Sequence, residues 1–289
     1  MACLLADLVL GEPSPHPVRG IGALLNAGKR RRRATSPWGA FLEGLLVVGG
    51  TAALVGAGAA GVRRLAQPVP ALEGILLKPA LALGALLEAG DAVHGALEAG
   101  DLDEARRLTA WHLVSRDTAH LTASQVSSAV VESLSENLVD SVVAPAGYFL
   151  LGGLPAAWIY RTVNTADALF GYRSEEFEWF GKPAARADDL LNLAPARWTG
   201  AAILLAAGRP DLLPRLPREA RRAQGPNAGW PMAAAALALG VRLEKPGSYV
   251  LNERGRPANP GDIPRATGLL RRATAVALAG LVTTLGHGP

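Results

Sequence analysis

The sequence predicts an all-α protein, a polytopic integral membrane helical bundle with re-entrant or broken helices and amphipathic cytoplasmic helices. Three observations carry that expectation. Of 289 residues, 49% are hydrophobic and only 19% charged, with a mean hydropathy of +0.20; an average soluble domain carries about 25% charged residues. Residues 44–62 hold no charged side chain over 19 positions, about the length a helix needs to cross the hydrocarbon core. The apolar runs show little of the alternation that argues for strands. The same composition excludes intrinsic disorder, and the one cysteine, Cys3, permits no internal disulfide. A single membrane-embedded domain over residues 1–289 is expected, with polar catalytic segments at about 91–140 and 161–197.

Taken in order, residues 1–10 are too short and too interrupted by Asp7 for a secretory leader, so no cleaved segment is expected. His16 and Arg19 follow Pro13 and Pro15 and flank Pro17; they either reach a substrate or belong to a rigid loop that caps the bundle. Lys29 to Arg33 form a basic block on the N-terminal side of the 44–62 span, which the positive-inside bias assigns to the cytoplasm. No aromatic residues interleave with it, so no nucleic-acid partner is expected. Gly56, Gly58 and Gly61 satisfy G-x-G-x-x-G but lie inside the span with no strand before them, so no dinucleotide is expected there. Small residues such as Ala57 and Gly61 instead suit close helix approach in lipid.

Residues 71–90 make a second span candidate, with Glu73, Lys78 and Glu88 placed to snorkel. Helix starts are read at Asp101 with Glu104, and at Thr122 with Gln125 as a capping box. The uncharged run 141–160 is crowded with Pro145, Gly147, Gly152, Gly153 and Pro155, which suits a bent or re-entrant pair. Runs at 198–208, 228–241 and 273–286 fall below or near the length for crossing, and the prolines of 210–217 and the stretch 255–264 mark loops.

In VSSAVVESLSENLVD, helical spacing sets Glu132, Glu136 and Asp140 one turn apart on one face, opposite Val130, Leu134 and Leu138. Three acids in a row repel unless cations sit between them. Either the face is simply solvated, or it holds a hard, oxygen-ligated ion such as magnesium with a polyphosphate. The histidines show no zinc-ligand spacing. Downstream, Arg161, Asn164 and Asp167 recur on one face, with Arg173 beyond; Arg186, Asp189 and Asn192 do the same, with Asp188 adjacent. Ion-paired helix surfaces would explain each cluster alone. Several such clusters beside apolar runs point to a shared wet pocket, which requires 141–160 to enter and return near Gly152 and Gly153, and an even number of crossings between Arg33 and Asp101.

These residues also carry a resemblance. DLVLGEP and HPVRGIG within 7–22, SRDTAHL at 115–121, VESLSENLVD at 131–140, YRTVNTADALFGYR at 160–173, ARADDLLNLAPAR at 185–197 and PNAGWPMAAAALALGVRLEKPGSY at 226–249 resemble, in order and nearly end to end, the adenosylcobinamide-phosphate synthase family of cobalamin biosynthesis (CbiB/CobD), integral membrane proteins. The resemblance implies an ATP-dependent ligase of the cell membrane that joins aminopropanol phosphate, or aminopropanol, to a propionate of adenosylcobyric acid. It implies magnesium as cofactor, held by Glu132, Glu136 and Asp140. Arg116, Arg161, Arg173 and Arg186 would bind phosphates, and His16 and Arg19 would reach the substrate. Asp188 or Asp189 would act as base or further ligand, and Asn164, Asp167, Asn192 and Asn227 would orient. Trp230 would cover an apolar face of the corrinoid or anchor at the membrane interface. Other corrinoid-pathway enzymes are implied partners. The rival expectation is a non-enzymatic membrane sensor or signalling protein of the same helical type.

Overall fold

The computed structural model describes residues 16–66, 70–114, 117–172 and 174–285; the start of the chain before His16, Arg116 and Arg173 lie outside them. Along the chain the helices are α1 (Pro17–Arg30), α2 (Pro37–Ala66), α3 (Pro70–Leu77), α4 (Leu83–Glu98), α5 (Leu102–His112), α6 (Ala123–Leu138), α7 (Ala144–Phe170), α8 (Lys182–Leu191), α9 (Leu193–Ala206), α10 (Leu216–Ala220), α11 (Gly229–Leu239) and α12 (Asp262–Leu285). A π turn spans Val139–Val143, and 3-10 turns span Lys78–Ala80 and Pro210–Arg215. Contacts sort the described residues into two compact units: those up to Ala82 with Ala144–Asn192, and Leu83–Val143 with those from Leu193 on.

In the first unit, α2 packs against α1, α7 and α8. Its packed face is made of small residues, with Ala40, Gly44, Val48, Ala52, Gly56 and Ala59 buried, while Leu42, Leu45, Leu46, Leu54, Val62 and Leu65 are exposed. That is the reverse of a soluble helix and suits a helix with lipid outside and close neighbours inside. A Cβ on Gly44 would collide with the Phe180 carbonyl oxygen, and one on Gly56 would lie 2.7 Å from Ile159 Cδ1. The sequence expectation had the face wrong: Ala57 and Gly61 point outward, and the helix turns Gly44 and Gly56 inward instead.

The break expected in 141–160 falls at Gly153, whose φ of 69° and ψ of −161° interrupt α7 two residues before Pro155. Tyr148 and Tyr160, on either side of it, stack with ring centroids 5.2 Å apart. Twelve residues of straight helix would separate them by about 18 Å, so the two arms bend sharply toward each other. The second span candidate is corrected. Residues 71–90 do not form one helix, because Pro79 lacks a donor and the chain passes through the 3-10 turn and an extended pair at 81–82 before α4. Lys78 does not snorkel outward; it is buried.

The second unit is built on α6, surrounded by α4, α11, α12 and β1. Both expected helix starts are present. Asp101 accepts a hydrogen bond from the Glu104 amide at 2.9 Å, and Thr122 and Gln125 close a reciprocal capping box. The run 273–286 was underestimated, since α12 begins at Asp262 and extends over 24 residues. Among the described residues, three helical stretches are thus long and apolar enough to cross a membrane: Pro37–Ala66, Ala123–Phe170 and Asp262–Leu285. The all-α expectation also needs correction. Strands β1 (Val241–Lys245), β2 (Tyr249–Leu251) and β3 (Arg256–Pro257) form a small sheet in the order β2-β1-β3, antiparallel then parallel. Gly240, left-handed at φ 69°, ends α11 and starts β1, where Val241 and Leu243 alternate inward. The alternation is too short to be distinctive in the sequence.

Gly153→Ala is expected to lower stability by about 1–3 kcal/mol, because only glycine tolerates this backbone region and the added Cβ would meet the Arg63 guanidinium at 2.7 Å. Gly58→Ala, whose Cβ meets nothing, is the control. Thermal unfolding in detergent checks it: equal midpoints for the two variants would contradict the strain.

Candidate active site

The first unit gathers the best-connected polar residues. Late α7 carries Arg161 and Asn164, α8 carries Asp188, and Asn192 caps the end of α8. Arg161 donates to Asn164 Oδ1 at 3.2 Å, and Asn164 Nδ2 donates to Asp188 Oδ1 at 3.2 Å. From the other side Asn192 Nδ2 donates to Asp188 Oδ2 at 3.0 Å, while Tyr160 OH donates to Asn192 Oδ1 at 2.9 Å. Both amides are therefore fixed in orientation, each accepting at oxygen and donating to the same carboxylate. Bonds that run head to tail in this way reinforce one another. Tyr148, stacked on Tyr160, donates to the Leu191 carbonyl oxygen at 2.8 Å and ties the first arm of α7 to α8.

The structure brings Arg161 and Asn164 of one predicted face together with Asp188 and Asn192 of the second segment, Asn192 buried and the others half-buried. Asp167 lies one turn further along α7, where its carboxylate fills the space beside Gly171. Arg186 is exposed and lies 4.0 Å from Asp189, one turn along α8. His16 is the N-cap of α1, its Nδ1 accepting from the Val18 amide at 3.2 Å, and Arg19 is exposed on that helix.

The acids of the second unit differ in burial. The α-helical register ends at Leu138, and Asp140 lies in the π turn that follows it. Glu132 is buried, Glu136 exposed and Asp140 half-buried. Ser128 donates to Glu132 Oε1 at 2.8 Å, and Tyr249 donates to Oε2. Ser128 in turn accepts from the Glu244 amide at 2.7 Å, so α6, β1 and β2 are pinned together at Glu132. Among the described residues no three His, Cys, Asp or Glu side chains are grouped to hold a metal ion. Glu136 has Asp140, Glu132 and Lys245 within electrostatic reach. Magnesium commonly takes one or two carboxylates and completes its shell with water and phosphate, so Glu136 and Asp140 are donors of a suitable kind.

Elsewhere in this unit Arg197 stacks over Trp230 at 4.7 Å and donates to Asn227 Oδ1 at 3.4 Å. Arg197, Tyr148, Tyr160, Ser128 and Tyr249 were not among the expected site residues. Arg197 closes the ARADDLLNLAPAR stretch and Tyr249 ends the PNAGWPMAAAALALGVRLEKPGSY stretch, so position within those motifs was the available signal.

A mostly helical chain with membrane-length apolar helices and polar clusters on their inner faces is the class of protein these features define. The chain belongs to the CobD/CbiB family, whose profile, described as CobD/Cbib protein, matches residues 1–276. It is 43% identical over 272 residues to a Pyrococcus furiosus protein named "Probable cobalamin biosynthesis protein CobD", covering 91% of this chain and 90% of the relative. It is 38% identical over 313 residues to the cobalamin biosynthesis protein CobD of Geobacter metallireducens, covering 99% and 96%. The corresponding Klebsiella pneumoniae protein is 37% identical over 301 residues, covering 95% and 93%. No solved structure matches the chain.

Asn192→Ala is expected to destabilise the first unit by about 1–3 kcal/mol, because it removes the acceptor of the Tyr160 hydroxyl and a donor to Asp188 together. Tyr160→Phe removes only one bond and should cost less. Chemical or thermal denaturation of the two variants checks the order, and a larger loss for Tyr160→Phe would contradict the network.

Proposed function

We propose that this protein is a multi-pass enzyme of the cell membrane that acts in cobalamin biosynthesis. The proposed reaction is the ATP-dependent joining of aminopropanol phosphate, or aminopropanol, to a propionate side chain of adenosylcobyric acid. The observation that carries the reading is the Asp188 carboxylate held between two oriented amides with Arg161 at the end of the chain of bonds. Membership in the family, and the names of its relatives, support the pathway.

A carboxylate is a poor acyl donor, so the γ-phosphoryl group of ATP is transferred to it first; the amine then attacks the acyl phosphate, phosphate leaves, and the amine loses a proton. Magnesium, when bound, supplies neutralisation of the polyphosphate charge, and Glu136 and Asp140 would hold it. Arg161 offers a planar fork to phosphoryl oxygens. Asp188 is the group proposed to accept the amine proton, with Asn164 and Asn192 holding its plane fixed. Trp230, backed by Arg197, presents a ring face to a large apolar ligand.

The direct test supplies the detergent-purified protein with adenosylcobyric acid, aminopropanol phosphate and magnesium ATP, and follows the new amide by mass spectrometry. Absence of product would sink the reading. Asp188→Asn is expected to lower turnover by about 10²–10⁴-fold, the usual range for a lost acid–base group. Arg161→Lys should fail to restore what Arg161→Ala loses, since a point charge cannot reproduce a bidentate contact; equal activity of Lys and Arg would argue for generic electrostatics. For the membrane assignment, Ser36→Cys and Leu65→Cys, each in a Cys3→Ser background, should react with impermeant thiol reagents from opposite faces. Labelling of both from one face would show that α2 does not cross.

A further inference from the structure

The second unit contains a cleft of about 820 Å³ that shares no residue with the clusters described above. Five arginines line it: Arg209, Arg215, Arg218, Arg222 and Arg254. They come from three stretches of chain, the 3-10 turn with the residue before it, α10 with the residues just after it, and the bend between β2 and β3. Two carboxylates share the wall, Glu219 and Glu253, and both pair with the same arginine, Arg222, at 3.4 Å. Arg209 pairs with Asp211 at the rim. Arg215, Arg218 and Arg254 form no ion pair within 4.0 Å among the described residues.

The five arginines are exposed to solvent around one concavity, and like charges gathered there sum to a positive potential that favours an anion. The wall is also held rigid. Asn252 has a left-handed φ of 47°, its amide donates to Glu219 at 3.1 Å, and its side chain donates to the carbonyl oxygens of Ala236 and Val241 at 3.2 and 3.0 Å. Those bonds fix the bend that carries Arg254. Leu212, Pro214 and Leu237 add an apolar side to the cleft. The volume lies within the usual range of small-molecule sites.

We propose that this cleft binds a phosphate-bearing ligand through Arg215, Arg218 and Arg254. Planar forks match phosphoryl oxygens bidentately, and several of them suit a ligand with more than one anionic oxygen. Two sources share that chemistry, a soluble polyphosphate and a phospholipid headgroup.

Calorimetry on the full-length protein in neutral detergent separates them, with sodium triphosphate as one probe and short-chain phosphatidylglycerol as the other. At least one probe is expected to bind, and Arg218→Gln with Arg254→Gln should weaken it tenfold or more while the melting midpoint without probe stays unchanged. A triphosphate response identifies the soluble source, and a lipid response the headgroup. Arg271→Gln with Arg272→Gln, which removes the same charge from exposed positions of α12, should leave binding intact. If the double cleft variant unfolds, the single Arg218→Lys substitution is read in the same way, with a loss of threefold or more expected. Binding of neither probe, equal binding by the cleft variant, or equal loss in the α12 control overturns the proposal.

Discussion

Where water is excluded, a polar side chain must find its partners within the protein, and that constraint organises both units. Three buried or half-buried carboxylates illustrate it. Asp262, fully buried, accepts from the guanidiniums of Arg256 and Arg265 and from the Asn259 amide, which closes the loop before α12. Asp188 accepts from the amides of Asn164 and Asn192, and Glu132 from the hydroxyls of Ser128 and Tyr249. Each of these carboxylates joins elements distant in the sequence, so the polar bonds help to fix how the helices pack.

The apolar elements answer the same constraint from outside. α2 exposes leucines and buries glycine and alanine, so its association relies on backbone proximity more than on side-chain burial. The bend at Gly153 frees backbone groups from the helical ladder. At the bend Gly153 and Leu154 are buried in protein, the condition under which irregular backbone is tolerated at depth, while Leu151 and Gly152 just before it are exposed.

Local signals were legible in the sequence and long-range ones were not. Thr122 with Gln125, Asp101 with Glu104, and the Gly152-Gly153-x-Pro155 break act over a few residues, and each appears where expected. The shared face of Arg161 and Asn164 follows from helical period alone. The π turn that holds Asp140 was not legible, because it has no residue pattern that distinguishes it from α-helix. Tyr249 meets Glu132 across 117 residues of chain, and the arginines of the cleft are spread from 209 to 254. Such meetings depend on tertiary packing, which no local pattern encodes.

The small-residue face of α2 has a mechanical consequence. Gly44 against the Phe180 carbonyl and Gly56 against Ile159 act as two keyways along one shaft. Rotation in either direction would drive a side chain into a backbone or packed side chain that has no room for it, so α2 has one angular setting. It behaves as a stator. Ile159 sits on α7 beyond the bend at Gly153, so the second keyway also fixes that arm of α7 against the stator.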